Sequence, residues 1–159
     1  MQWNRVGALP CSIARALSVV GDRWTLLILR EAFSGIDRFD AFQRHLGIAR
    51  NVLADRLERL VGHGILERRA YQMRPRRDAY ELTKKGRDLY PLLLALMSWG
   101  DRHMSGSEGP PVRLVHAVCG KRARGIAVCS ECGEPLDSTA CRAVAGPGLM
   151  RSDSLQKPS

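Results

Sequence analysis

The sequence predicts a mainly α fold carrying one small β-hairpin, an α+β arrangement, with a small cysteine-rich appendage. Three observations predict it. Apolar residues recur at helical spacing through residues 11–61, the period turns to that of strands over residues 65–83, and a leucine-rich helical stripe resumes from 84 to about 104. A chain of 159 residues that is 45% apolar can build one core with a small addition, which argues against wholesale disorder.

The elements follow in order. From Cys11, the positions Ile13, Ala16, Leu17 and Val20 space a first helix, and Gly21-Asp22 breaks it. Asp22 can cap the second, residues 24–33, whose run Leu26-Leu27-Ile28-Leu29 is apolar all round and predicts a buried central helix ending near Gly35. Phe39, Phe42 and Leu46 space a short third helix that stops at Gly47. Leu53, Leu57, Leu60 and Val61 line one side of a fourth, ending at residues 62–64. Two short helices joined by a tight glycine turn make a helix-turn-helix.

Residues 65–71 and 78–83 then alternate as strands, with Leu66, Tyr80 and Leu82 as inward residues. The intervening Gln72-Met73-Arg74-Pro75-Arg76-Arg77 predicts a long, polar, basic connection. Such a hairpin is a wing, and the domain reads as a winged helix-turn-helix. Thr83 can cap a long helix to about Met104 with the stripe Leu89, Leu92, Leu93, Leu96, Met97 and Gly100, bent or started late by Pro91. That stripe exceeds the needs of one small domain, so it is covered by a second copy or packs on the first helix. The chain thus divides into a domain at 1–104, a linker at 105–111, a cysteine-rich extension at 112–145 and a disordered tail at 146–159. No internal repeat is evident.

Charge locates a candidate surface. Basic residues outnumber acidic ones 25 to 16, and residues 50–87 hold 11 of the basic against 5 of the acidic, a net +6 of the total +9. This points to a polyanion, though charge alone does not separate DNA from RNA or anionic lipid. On a helical wheel with the leucines inward, Asn51, Asp55, Glu58 and Arg59 face out, flanked by Val52 and Arg56. Arg50, Asn51 and Arg56 are candidates for base or phosphate contact, because arginine pairs with guanine and asparagine with adenine in the major groove. Asp55 and Glu58 repel phosphate and must sit over base edges or pair with arginines. A helix-turn-helix followed at once by a basic hairpin puts both on one side, where Arg74, Arg76 and Arg77 reach phosphates or a minor groove. The expected partner is a double-stranded DNA operator.

The stretches CSIARALSVVGDRWTLLILREAFSG, FDAFQRHLGIARNVLADRLERLVGHGILERR and YELTKKGRDLYPLLLALMSWG together resemble the HxlR-type regulators, bacterial winged-helix proteins related to MarR. The resemblance spans about residues 11–100. It implies a homodimer built from the first and the last long helix, with one recognition helix per half-site of a roughly palindromic operator. It departs at Ala49, where such proteins often carry a capping residue. Some of these regulators sense oxidants or electrophiles at a cysteine matching Cys11, which here precedes a helix whose dipole favours a negative sulfur; a small packed thiol is the other reading. A small-molecule or redox effector is thereby implied.

The five cysteines have a second use. His116-Ala-Val-Cys119-Gly and Cys129-Ser-Glu-Cys132-Gly each place two ligand-type residues two apart before a glycine, the spacing of knuckles that hold zinc in a closed, structural site. A zinc-ribbon-like hairpin from His116, Cys119, Cys129 and Cys132 is expected, with Cys141 able to replace His116, and reduced metal-free cysteines or a Cys129–Cys132 disulfide as alternatives. Neither a secretory h-region nor an apolar run of roughly 20 residues is present, which predicts a cytoplasmic chain without membrane contact. The scattered His45, His63, His103 and His116, with no nucleophile motif or phosphate loop, argue against an enzyme. The competing class is a zinc-ribbon adaptor that binds protein or RNA.

Overall fold

The computed structural model of the chain describes residues 3–149. A short 3-10 helix, Trp3–Ala8, leads into α1, Ser12–Val20, and then α2, Arg23–Phe33. Asp22 caps α2 as expected, its carboxylate accepting from the backbone N–H of Trp24 and Thr25. The apolar run of α2 is buried on one face and not all round: Ile28 and Leu29 are fully enclosed, Leu26 and Leu27 half-buried, and Arg30 exposed. α3, Phe39–Leu46, and α4, Arg50–Gly62, are joined by a turn in which Gly47 is left-handed (φ 60°). A side chain disfavours that conformation, which is why the chain stops at glycine there.

Phe42 of α3 and Leu53, Leu57 and Leu60 of α4 meet Ile28 and Leu29 in one apolar cluster, which Val20, Ile48, Ile65 and Leu66 complete. The inward face read from the sequence for α4 is therefore the observed one. At about 1.5–3 kcal/mol for each fully buried large apolar side chain, this cluster dominates the stability of the domain. Leu89 and Leu93 close it from the C-terminal side.

β1, Leu66–Met73, and β2, Arg76–Leu82, pair antiparallel, from Leu66 opposite Leu82 to Met73 opposite Arg76. The wing is tighter than its composition predicts. Only Arg74 and Pro75, joined by a cis peptide bond, connect the strands, because Gln72, Met73 and Arg77 join the ladder. Polar residues do not oppose pairing where both strand faces meet water and backbone hydrogen bonds alone hold the ladder. An extra residue, Tyr71, bulges between the Ala70 and Gln72 pairs. The residues before α3 add a third edge: Tyr80 N–H donates to the Asp37 carbonyl at 2.7 Å, and Arg38 bridges Ala79.

The long helix expected after Thr83 is broken. Thr83 accepts from Gly86 N–H at 3.0 Å and caps α5, Lys84–Arg87, after which α6 starts afresh at Tyr90 and runs to Met104. Pro91 is the cause: it has no N–H to give to the Arg87 carbonyl, and its ring would clash there. Gly86 crosses the chain so closely that a Cβ would lie 2.2 Å from the Ile65 carbonyl oxygen.

The chain parts into two compact units between Leu93 and Leu94, inside α6, whereas composition puts the join at 105–111. In the second unit, two turns follow one plan 13 residues apart, a repeat not evident from the sequence. His116 N–H donates to the Lys121 carbonyl (2.9 Å) as Cys129 N–H does to that of Glu134 (2.8 Å). Gly120 N–H returns to His116 (2.8 Å) as Gly133 N–H does to Cys129 (2.9 Å), and Ala123–Leu114 and Leu136–Ala127 bonds of 3.0 Å close each base. The repeat escapes sequence reading because one ligand-type position is histidine in the first copy and cysteine in the second, and the other side chains differ. Each turn carries a single β-bridge, Val115 with Arg122 and Val128 with Pro135, in place of ribbon strands. Of the tail expected to be disordered, 146–149 is described, with a helical turn at its end, and 150–159 lies outside the described residues.

Candidate nucleic-acid interface

α3, the start of α4 and the wing border an open groove of about 620 Å³. Four arginines line it, Arg38, Arg44, Arg50 and Arg77, against Asp40 and Asp78. Two of the cations lie on aromatic faces, Arg38 over Tyr71 at 4.0 Å and Arg50 over Phe39 at 4.7 Å, which fixes their planes without neutralising them. Tyr71 is the bulged residue of β1, so the irregularity of the ladder presents its ring to Arg38. Arg50 also meets Asp40 at 3.7 Å, a pair exposed on both sides.

The sequence-predicted residues divide into two groups. Arg50, Asn51 and Arg59 are exposed, as are Arg74 and Arg77 on the wing; the side chain of Arg76 lies outside the described residues. Arg59 is turned toward α1, its guanidinium 3.5 Å from the Ser18 carbonyl. Val52 is half-buried and packs against the core, so it is not available to a ligand in the way Asn51 is. Arg56 is the clearest departure. Its Nε donates to Asp22 Oδ1 at 3.0 Å, it pairs with Asp55, and only 23% of its side chain is exposed. The wheel puts it at the rim of the outward face, but its partner lies 34 residues away, beyond the reach of any local pattern. Asp55 and Glu58 take the second of their two expected fates and pair with arginines, Glu58 with Arg68 at 3.5 Å.

Arg38 and Arg44 were not singled out by the sequence, because attention to the second helix of the motif and the wing tip passes over the helix before them. Their signal was the helical period itself, which places residues 38 and 44 at the two ends of α3. Ala49 leaves α4 without a side-chain cap.

Below this surface the elements are tied by ionised groups. Partial burial pushes the Asp22 carboxyl up, but hydrogen bonds from the Thr25 side chain and backbone and the charge of Arg56 outweigh it and hold the group below its ordinary 3.8. Glu31, buried at the end of α2, is likewise raised by burial but lowered further by hydrogen bonds from Arg30 and His45, the latter 3.0 Å away on α3. These two carboxylates hold α2 to α4 and α2 to α3 respectively, and so fix the angle at which α4 is presented.

A family model, the HxlR-like helix-turn-helix, matches residues 19–108, more than half of the chain and the whole of the surface just described. The chain belongs to the HxlR-like helix-turn-helix family. Among the relatives of this HxlR-like protein is an HTH-type transcriptional regulator of Mycobacterium tuberculosis, 46% identical over 138 residues that make up 87% of each chain. The crystal structure of PA1607, a candidate transcription factor, is 37% identical and superimposes with a TM-score of 0.79 over 91% of this chain and all of its own. The redox regulator HypR in its reduced form is 30% identical, with a TM-score of 0.55 over 58% of this chain and 92% of its own. The HxlR-like chain is a helix-turn-helix transcriptional regulator. A match over 91% of its length necessarily runs through most of the cysteine-rich segment, whereas the HypR match covers little more than half the chain.

Proposed function

We propose that this regulator binds a roughly palindromic duplex operator as a homodimer, each half-site taking one α4 in the major groove and one wing on the flanking backbone. Arg50 and Asn51 reach base edges or phosphates from the first turn of α4. Arg74, Arg76 and Arg77 of the wing and Arg38 and Arg44 of α3 neutralise phosphates on either side. The observation that carries this reading is the single groove bordered by α3, the start of α4 and the wing, with four arginines along its walls. Arg56 has no part in it and acts as a tie within the domain.

A second copy is supported by apolar residues left uncovered on two helices: Ile13 and Leu17 on α1, 70% and 40% exposed, and Leu92, Leu96 and Trp99 on one face of α6. Two half-sites then lie about 34 Å apart, one turn of DNA. A redox or small-molecule effector belongs to the same proposal. Cys11 is exposed at the cap of α1, beside the uncovered face, and HypR is a redox regulator. Peroxide or quinone that releases DNA from the wild type and not from Cys11→Ser supports this; equal responses remove it. No described helix is long and apolar enough to cross a membrane, and the proposed site of action is the cytoplasm, where the operator lies.

The test is a gel shift with the DNA upstream of the protein's own gene. Salt-sensitive, sequence-selective retardation with two chains per site is the expected result. The absence of retardation favours the adaptor class, in which the domain docks protein or RNA.

A further inference from the structure

The described part of the second unit has well-defined turns and no core. From residue 94 to 149 no side chain is buried, and the valines of the two repeated turns stand in solvent, Val115 56% exposed, Val118 88% and Val128 44%. Units below about 70–80 residues seldom hold a fixed shape by apolar burial alone and commonly rely on a disulfide, a metal or a partner. The turns themselves are not generic. Each places a left-handed glycine directly after its second ligand-type residue, Gly120 at φ 65° and Gly133 at φ 76°. In the first, His116 Nδ1 lies 3.4 Å from Cys119 Sγ. In the second, the backbone N–H groups of Cys132 and Glu131 point at the Cys129 sulfur. Amides aimed at sulfur are the outer support that a thiolate ligand uses.

We infer that His116, Cys119, Cys129 and Cys132 bind one zinc ion per chain, and that this ion, in place of a hydrophobic core, closes the two turns on each other. One imidazole and three thiolates form a closed tetrahedral set with no position left for water, which suits a structural zinc; calcium and magnesium require oxygen ligands. Among the described residues, no three His, Cys, Asp or Glu side chains are gathered as a metal ion requires. The two pairs are therefore half-sites, and metal binding brings them together. Reach permits this. Only Arg124, Gly125 and Ile126 separate the closing residues of the two bases, Ala123 and Ala127, so their Cα atoms lie within about 14 Å of one another. Each Zn–S bond forms as an S–H bond breaks and the proton leaves to solvent, with no change of oxidation state.

The experiment uses the full chain, reduced and freed of metal, titrated with zinc chloride against a chelator, and separately with cobalt chloride, whose thiolate charge-transfer absorption reports sulfur ligation. The expected result is one zinc per chain. Affinity falls on the order of 100-fold or more in Cys129→Ser, Cys119→Ser and His116→Ala and is unchanged in Cys11→Ser and Cys141→Ser. Zinc also slows tryptic cleavage after Arg122 and Arg124. Uptake below about a tenth of an equivalent, uptake insensitive to Cys129→Ser, dependence on Cys141 in place of His116, or half an equivalent per chain each overturns the site as assigned. DNA binding is not a readout here, so failure of the zinc site leaves the regulator reading untouched.

Discussion

Asp22 does two jobs that mutation can separate, and the prediction depends on their being distinct. Its carboxylate caps α2 through the Trp24 and Thr25 amides and takes the Thr25 hydroxyl, while also receiving Arg56 from α4 at 3.0 Å. Losing an N-cap costs about 1 kcal/mol. A charge-assisted hydrogen bond is worth about 1.5–3 kcal/mol when enclosed, and here, with Asp22 26% and Arg56 23% exposed, about 1 kcal/mol is the reasonable share. Asp22→Ala should therefore lose about 2 kcal/mol, and Asp22→Asn, which keeps a capping oxygen and drops the charge, about 1. In a domain of this size 1 kcal/mol moves Tm by about 4–8 °C, so the two variants separate clearly in thermal melts. The decisive measurement is a urea-unfolding cycle with Asp22→Asn, Arg56→Met and the double variant, in which a coupling of about 1 kcal/mol is expected. Additive losses, within about 0.3 kcal/mol, would refute the tie and return Arg56 to the DNA-contacting set.

Three further outcomes follow from the same structure. Gly86→Ala drives a Cβ to 2.2 Å from the Ile65 carbonyl oxygen, a backbone atom that cannot step aside, so a loss of about 3 kcal/mol or more is expected in the urea midpoint, with little folded protein if the domain is marginal. Asp22 and Glu31 both titrate below their ordinary values in the fold. Their stabilisation is complete above those values, 3.8 and 4.5, and is lost as pH falls through the lowered ones; Asp22→Asn and Glu31→Gln should each flatten the acid limb of a stability–pH curve. Replacing Arg74, Arg76 and Arg77 together with alanine should weaken operator binding and reduce the slope of log affinity against log salt by about one for each phosphate no longer neutralised, and an unchanged slope removes the wing from the interface.

What the sequence disclosed was local and what it concealed was distant. The Asp22 cap, the Gly47 turn and the buried face of α4 follow from neighbours within a few residues, and each was legible. The tight wing was not, because strand pairing at a solvent-facing tip depends on backbone register and a bulge at Tyr71, which leave no mark on composition. The Arg56–Asp22 pair was hidden for a different reason: a wheel sorts residues by direction but cannot see that Asp22, capping the helix beneath, lies within reach of the flank. Arg38 and Arg44 were in plain view and passed over, since the motif directs attention to its second helix, whereas the groove is lined mainly by its first and by the wing.

The two classes of arginine differ in what a phosphate would have to displace. Arg50 is 71% exposed and its partner Asp40 76%, so water already screens their attraction, and a pair of this kind contributes little to stability. Exchanging Asp40 for a phosphate therefore costs almost nothing, while Asp40, left close by, disfavours any approach that does not bring the guanidinium to a stronger acceptor. Arg56 is held by an enclosed carboxylate that is also the cap of α2, so freeing it would loosen the helix against which α4 is set. Position on the helix alone would rank the two arginines as equals; the exposure of their carboxylate partners leaves Arg50 able to exchange its partner and holds Arg56 to the scaffold.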